Sequence, residues 1–117
     1  MPERRRHPRV RVSLYIDWGP TKDCARQARI TSFSIGGCFV QTEDEVSVAQ
    51  TIHIRLSLSE ERLLHGSVRY HMPGVGFGLE FQDLTIEDQL ILEALVAHYM
   101  KRMTDERNDE RGMMNDE

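Results

Sequence analysis

Short segments in which apolar and polar residues alternate run through much of this 117-residue chain. The clearest is Thr51 to Leu58, where isoleucines and leucines occupy every second position. Such alternation is typical of a strand with one buried face. The same pattern predicts further strands at 11–18, 26–31, 37–41, 62–71 and 75–81. Because Gly, Pro and acidic residues separate these segments, the chain is predicted to fold as a small, mainly β domain of six strands.

The periodicity becomes helical after the last predicted strand. Thr85 and Asp88 have the spacing of a pair that caps a helix N-terminus. One apolar helix face is predicted to carry Ile86, Leu90, Ile91, Ala94, Leu95, His98 and Tyr99. From Thr104 onward the residues are mostly charged and offer few apolar anchors. We therefore expect a disordered acidic tail over residues 104–117.

The net charge of −4 conceals a basic start and an acidic end. General nucleic-acid affinity depends on many phosphate contacts, so an acidic protein is a poor candidate for it. No apolar run is long enough to span a bilayer, and none begins as a signal peptide does. Cys24 and Cys38 form no disulfide framework. These features lead us to expect a cytoplasmic protein that neither inserts into membranes nor binds nucleic acid specifically.

Two polar motifs lie beside predicted strands. The first is an arginine cluster that contains Arg4, Arg5 and Arg9. A guanidinium is planar and permanently charged, and it binds phosphate oxygens or a guanine edge through two N–H groups. The second is a turn of small residues from Ser32 to Gly37, where backbone can approach a ligand closely. Together the motifs predict a site for a small anionic ligand.

These motifs resemble the two halves of the PilZ signature. Arg4, Arg5 and Arg9 match its Arg-Arg-x-x-x-Arg half. Ser32-x-Ser34-x-x-Gly37 is similar to its Asp/Asn-x-Ser-x-x-Gly half, with Ser32 in place of the acid or amide. PilZ domains are bacterial receptors for cyclic di-GMP. The resemblance implies a closed six-stranded antiparallel β-barrel with one C-terminal α-helix, whereas alternation alone does not specify the closure.

The resemblance also implies an organisation and a set of ligand contacts. Residues 1–10 would be a flexible basic arm that folds over the ligand, and 11–103 the barrel with its helix. The residues implied to bind cyclic di-GMP are Arg4, Arg5, Arg9, Ser32, Ser34 and Gly37. No further cofactor is implied, and the signal would pass to a downstream protein partner.

The serine at position 32 leaves an alternative open. An Asp or Asn can accept two hydrogen bonds from a guanine edge, whereas a hydroxyl accepts one, so Ser32 would weaken binding by about 1–3 kcal/mol. The alternative is a degenerate PilZ-like adaptor that has lost the nucleotide and acts through protein contacts. The histidines and cysteines lack the spacing of a metal site, and no catalytic constellation occurs. We therefore expect a protein that is not an enzyme.

Overall fold

The computed structural model describes the backbone of residues 9–58 and 60–115, and side chains within 9–58 and 60–102. Six strands precede one helix. The elements are β1 (Val10–Gly19), β2 (Arg26–Phe33), β3 (Gly37–Gln41), β4 (Thr51–Ser57), β5 (Glu61–Met72), β6 (Gly76–Gln82) and α1 (Ile86–Asn115). Each strand overlaps the segment predicted for it from alternation.

The strands form a closed antiparallel barrel in the order β1-β2-β3-β6-β5-β4. β1 closes the barrel because it pairs with β2 along most of its length and with β4 near its end, where Asp17 lies opposite Arg55. The predicted fold class, a six-stranded barrel with a C-terminal helix, is confirmed. Closure leaves every strand with two neighbours, so the barrel has no exposed edge.

The core lies inside the barrel and beneath α1. Trp18 and Phe77 are fully buried, with ring centroids 5.2 Å apart. The alternating side chains of β4 fill the interior as the sequence predicted, since Ile52, Ile54 and Leu56 are all buried. Burial of apolar surface at about 25 cal/mol per Å² is the main force that holds these layers together.

The buried face of α1 differs from the predicted face. Leu92 and Val96 are buried, while Ile86 and Leu90 are 77% and 60% exposed. The reason is Asp88, a carboxylate on the buried side that hydropathy alone would assign to solvent. Its Oδ1 accepts a hydrogen bond of 3.0 Å from Arg62 of β5, which turns this side of the helix toward the barrel.

The start of α1 is capped as predicted, but its end differs from the prediction. Thr85 and Asp88 exchange backbone-to-side-chain hydrogen bonds of 3.2 and 3.0 Å, the reciprocal pattern of a capping box. The helix then continues to Asn115, through a segment where we expected disorder. Residues 104–111 contain neither Gly nor Pro, so no local break interrupts the helical hydrogen bonds there.

Candidate functional site

The structure brings the two sequence motifs into contact at the start of β1. Val10 pairs with Phe33 and Arg11 with Ser32, so the beginning of β1 runs beside the end of β2. Arg9 Nη1 donates a hydrogen bond of 2.8 Å to Ser32 Oγ. The third arginine of the cluster therefore lies against the first serine of the turn. Arg4 and Arg5 lie outside the described residues.

Irregular pairing surrounds this contact. The β1–β2 register shifts between Arg11 and Leu14, and the β2–β3 register shifts between Ile30 and Ser32. Such bulges commonly re-aim side chains near binding sites. One of the two shifts lies in the pairing of β2 with β1 and the other in its pairing with β3. The direction of the Ser32 side chain therefore depends on both registers.

The charge of Arg9 is not cancelled by a neighbouring carboxylate in the part of the chain whose side chains are described. Its partner there is the neutral hydroxyl of Ser32. Other arginines of the barrel are engaged differently: Arg55 contacts Asp17 and Glu61, and Arg69 contacts Glu80 at 2.7 Å. Arg9 thus presents a positive charge that can attract an anionic ligand.

Ser34 stabilises the turn between β2 and β3. Its side chain is buried, and its Oγ accepts a hydrogen bond of 3.1 Å from the Gly36 N–H. Its own N–H donates to the Gly37 carbonyl at 2.8 Å. These bonds give the turn a fixed shape that does not depend on a ligand.

Gly37 lies where two strands approach closely. It pairs with Glu80 of β6, and a Cβ added to it would lie 2.1 Å from the Leu79 carbonyl oxygen. That distance is far below van der Waals contact, so any side chain would force β3 and β6 apart. The close backbone approach that we expected at Gly37 is therefore made to β6.

Cys38, the next residue, is buried in the core. Burial raises the pKa of its thiol to about 12, although the positive charge of Arg9 acts in the opposite direction. A thiol with so high a pKa stays protonated at neutral pH and is a poor nucleophile. Cys38 therefore contributes packing beneath the site.

Sequence reasoning missed two aromatic residues on the outer surface, Phe39 beside Ser32 and Tyr70 two strands beyond Phe39. Phe39 lies directly opposite Ser32 in the β2–β3 register. Tyr70 lies two residues after the buried Val68, a spacing that would place both on one face of a regular strand, but it is 46% exposed. The β5–β6 register shifts between Val68 and Tyr70, and this bulge turns Tyr70 outward. The nearby glycines in β6 were the available sequence signal.

Two other features bear on function. Among residues 9–58 and 60–102, no group of three or more His, Cys, Asp or Glu side chains is arranged to hold a metal ion. Among the residues that the structure describes, α1 contains no stretch that is both long enough and apolar enough to cross a membrane.

Comparison with known proteins adds a family to this geometry. The PilZ domain family model matches residues 3–98. No curated protein sequence matches the chain. Among solved structures, the MrkH–c-di-GMP complex of K. pneumoniae superimposes with a TM-score of 0.70 at 17% identity, over 87% of this chain and 55% of MrkH.

Two further structures have the same fold. YcgR of Escherichia coli, in complex with c-di-GMP, has a TM-score of 0.70 at 14% identity and covers 92% of this chain and 50% of its own. The Bacillus subtilis inhibitor of motility MotI has a TM-score of 0.63 at 18% identity, over 87% of this chain and 52% of MotI. The chain thus spans about half the length of each of these proteins.

Proposed function

Because the chain belongs to the PilZ domain family, we propose that it is a cytoplasmic receptor for cyclic di-GMP that passes the signal to a protein partner. The observation that carries this proposal is the 2.8 Å hydrogen bond between Arg9 and Ser32, one residue from each motif. The solved MrkH and YcgR complexes, which share the fold, contain c-di-GMP. No catalytic step is part of this role.

The proposed ligand contacts follow from charge and shape. Arg9, with Arg4 and Arg5 from the arm, would bind the phosphates and a guanine edge through paired N–H groups. Ser32 would offer a hydroxyl to the base, while Ser34 and Gly37 fix the turn that presents it. Each charge-assisted hydrogen bond contributes about 1.5–3 kcal/mol. Several such bonds support micromolar or tighter binding after the cost of ordering the arm.

The second candidate function is an adaptor that has lost the nucleotide. Ser34 and Gly37 favour it, because both have structural roles in the turn that persist without ligand. The substitution of Ser for Asp or Asn at position 32 favours it as well. In this case the barrel would act through protein contacts alone, and the arginine cluster would have no nucleotide to hold.

Isothermal titration calorimetry distinguishes the two functions. The full chain is titrated with cyclic di-GMP and with GTP, beside the variants Arg5→Ala and Arg26→Ala. Arg26 is a matched control because it lies at the opposite end of β2 from Ser32 and is exposed. Specific binding that is lost in Arg5→Ala and kept in Arg26→Ala supports the receptor. Absence of heat at high protein concentration supports the adaptor.

A further inference from the structure

A groove runs between the β4–β5 hairpin and the first turns of α1. Its volume is about 360 Å³, and its apolar lining comes from Leu58, Leu90, Ile91 and Ala94. Leu90 is 60% exposed, so an apolar side chain at this position meets water in the isolated chain. Contiguous apolar surface rimmed by polar groups is typical of a protein interaction site. The groove is therefore a candidate docking surface.

The rim of the groove carries more negative than positive charge. The Arg62 guanidinium lies 3.0 Å from Asp88 and 3.3 Å from Glu87. Glu60 lies 3.5 Å from the same group. One cation thus faces three carboxylates, which leaves an excess of two negative charges. The side chains of Glu60 and Glu87 are 78% and 72% exposed, so cationic groups from another molecule can reach them. The groove therefore suits an occupant that combines apolar side chains with two positive charges.

The solvent-facing side of α1 itself has this combination. Exposed residues recur there at every third or fourth position, which is the spacing of one helix face: Glu87, Leu90, Ala94, Ala97 and Lys101. The face starts with a carboxylate and ends with an ammonium group, and the residues between them are apolar. Arg102, the next residue, is exposed as well. A second copy of the chain therefore carries the two cations and the apolar residues that the groove suits.

The face is complementary to itself when two copies lie antiparallel. Glu87 and Lys101 are each seven residues, or about 10 Å, from Ala94. A two-fold axis at Ala94 places Glu87 of each copy opposite Lys101 of the other. Each contact then occurs twice, because a two-fold interface uses the same patch on both copies. The same symmetry places Leu90 beside Ala97 of the other copy, where a small residue leaves room for it.

We propose that the chain forms an antiparallel homodimer through this face of α1, with the groove of each copy occupied by the helix of the other. Alanines at the centre of the contact allow the two helices to approach closely, since the distance between packed helices depends on the side chains between them. Lys101 and Arg102 of each copy offset the excess negative charge beside Arg62 of the other. The interface includes neither Arg9 nor Ser32, so the proposal stands whether or not the chain binds cyclic di-GMP.

Sedimentation equilibrium of the full chain, over about 1 µM to 1 mM, tests the dimer. The mean mass should rise with concentration from that of one chain to that of two. Leu90→Glu should remain a monomer over this range, because it removes an apolar contact and adds a carboxylate to an acidic groove. Its fold should be intact, since position 90 is exposed, and circular dichroism checks this.

Charge reversal tests the antiparallel arrangement. Glu87→Lys and Lys101→Glu should each weaken association by about tenfold or more, since each variant places like charges opposite one another in both symmetric contacts. An equal mixture of the two variants should dimerise as the original chain does, because both contacts then join opposite charges. Rescue by mixing also shows that the variants are folded. The matched control is Glu93→Lys, the same change on the same helix at an exposed position outside the groove lining, which should keep the dimer.

Three outcomes would overturn the proposal. A chain that stays monomeric at about 1 mM leaves the groove to a different protein. A dimer that Leu90→Glu does not affect uses another surface. Charge-reversed variants that associate as well as the original chain, or a mixture that does not recover association, exclude the antiparallel pairing.

Discussion

At the scale of single residues, Ser32 determines how much positive charge the site retains. Its hydroxyl accepts a hydrogen bond from Arg9 without adding a negative charge. A carboxylate at this position would pair with the guanidinium and partly neutralise it. The same carboxylate would also accept two hydrogen bonds from guanine. The balance between these two effects decides whether Ser32 weakens or favours ligand binding.

We expect Ser32→Asp to bind cyclic di-GMP more tightly, by up to about a hundredfold. The two base contacts contribute about 1–3 kcal/mol to binding. An exposed ion pair between the new carboxylate and Arg9 competes with the ligand and removes at most about 1 kcal/mol of this gain. Calorimetric titration measures the change. Ser57→Asp, which introduces the same charge at an exposed position of β4, is the control. Equal or weaker binding by Ser32→Asp would contradict the argument.

Cys38 makes stability depend on pH in alkaline solution. Its pKa is about 12 in the folded chain and 9.0 for an unperturbed thiol. The unfolded chain therefore loses this proton first, and stability that is complete below pH 9 falls as the pH rises toward 12. The expected slope is about 1.4 kcal/mol per pH unit. Urea unfolding between pH 8 and 11 on the original chain and on Cys38→Ala isolates this contribution, and identical slopes would refute it.

At the scale of elements, β3 and β6 can approach closely because Gly37 has no side chain. Gly37 allows the Leu79 carbonyl to approach, and Phe81 donates its N–H to the Gly36 carbonyl at 2.9 Å. This pairing fixes the turn from Ser32 to Gly37 and the β6 backbone on which Phe39 and Tyr70 lie. A change in β6 therefore reaches the site without contacting the ligand.

Gly37→Ala should lower the free energy of unfolding by more than about 2 kcal/mol, since the added methyl overlaps backbone that cannot move aside without breaking strand pairing. Chemical denaturation measures this loss. Gly19→Ala is the matched control, because its nearest new contact would be an ordinary 3.4 Å. We expect a change of less than about 1 kcal/mol for Gly19→Ala. A stable Gly37→Ala that loses only ligand binding would mean that the glycine serves the ligand instead.

Features of the elements that depend on local sequence could be predicted, whereas features that depend on distant residues could not. Regular alternation located β4, and the Thr85–Asp88 spacing located the start of α1, because both signals are local. The closure of the barrel followed from the family resemblance. The outward direction of Tyr70 could not be predicted, because the bulge before it depends on the partner strand. The predicted helix face failed because Asp88 is buried by Arg62, a residue far away in sequence.

The candidate site was predictable to a similar extent. The motifs predicted that Arg9 and the Ser32 turn belong to one ligand site. The structure shows Arg9 in contact with Ser32, and ligand binding by these residues stays a prediction. Alternation could not indicate that Phe39 and Tyr70 lie over glycines of a third strand. That arrangement depends on the order β3-β6-β5, which brings together segments that are distant along the chain.

At the scale of the whole molecule, the arginines proposed to bind the ligand and the residues that form the barrel lie largely in different parts of the chain. Within the part of the chain that the structure describes, the strand pairs and the buried core lie from Val10 onward. The charge that would attract the ligand is concentrated before that residue. Binding and stability should therefore respond to different parts of the chain.

Deletion of residues 1–8 should leave the melting temperature within about 4 °C of the original, the change that about 1 kcal/mol would cause. Affinity for cyclic di-GMP should fall at least a hundredfold, because Arg4 and Arg5 are removed while Arg9 remains. Thermal melts and calorimetric titration on the same preparations provide both values. Unchanged affinity would place the binding determinants entirely on the barrel, and a large loss of stability would mean that the arm is part of the fold.

The closed barrel delays folding while the chain is being synthesised. β1 is made first, yet its closing partner β4 begins at Thr51, and β3 must wait for β6, which ends at Gln82. At about 5–20 residues per second, roughly 3–13 s separate the synthesis of Trp18 from that of Gln82. During this interval the first strands have apolar faces without a core and edges without partners. We therefore expect the nascent chain to be most prone to aggregation between the synthesis of β3 and that of β6.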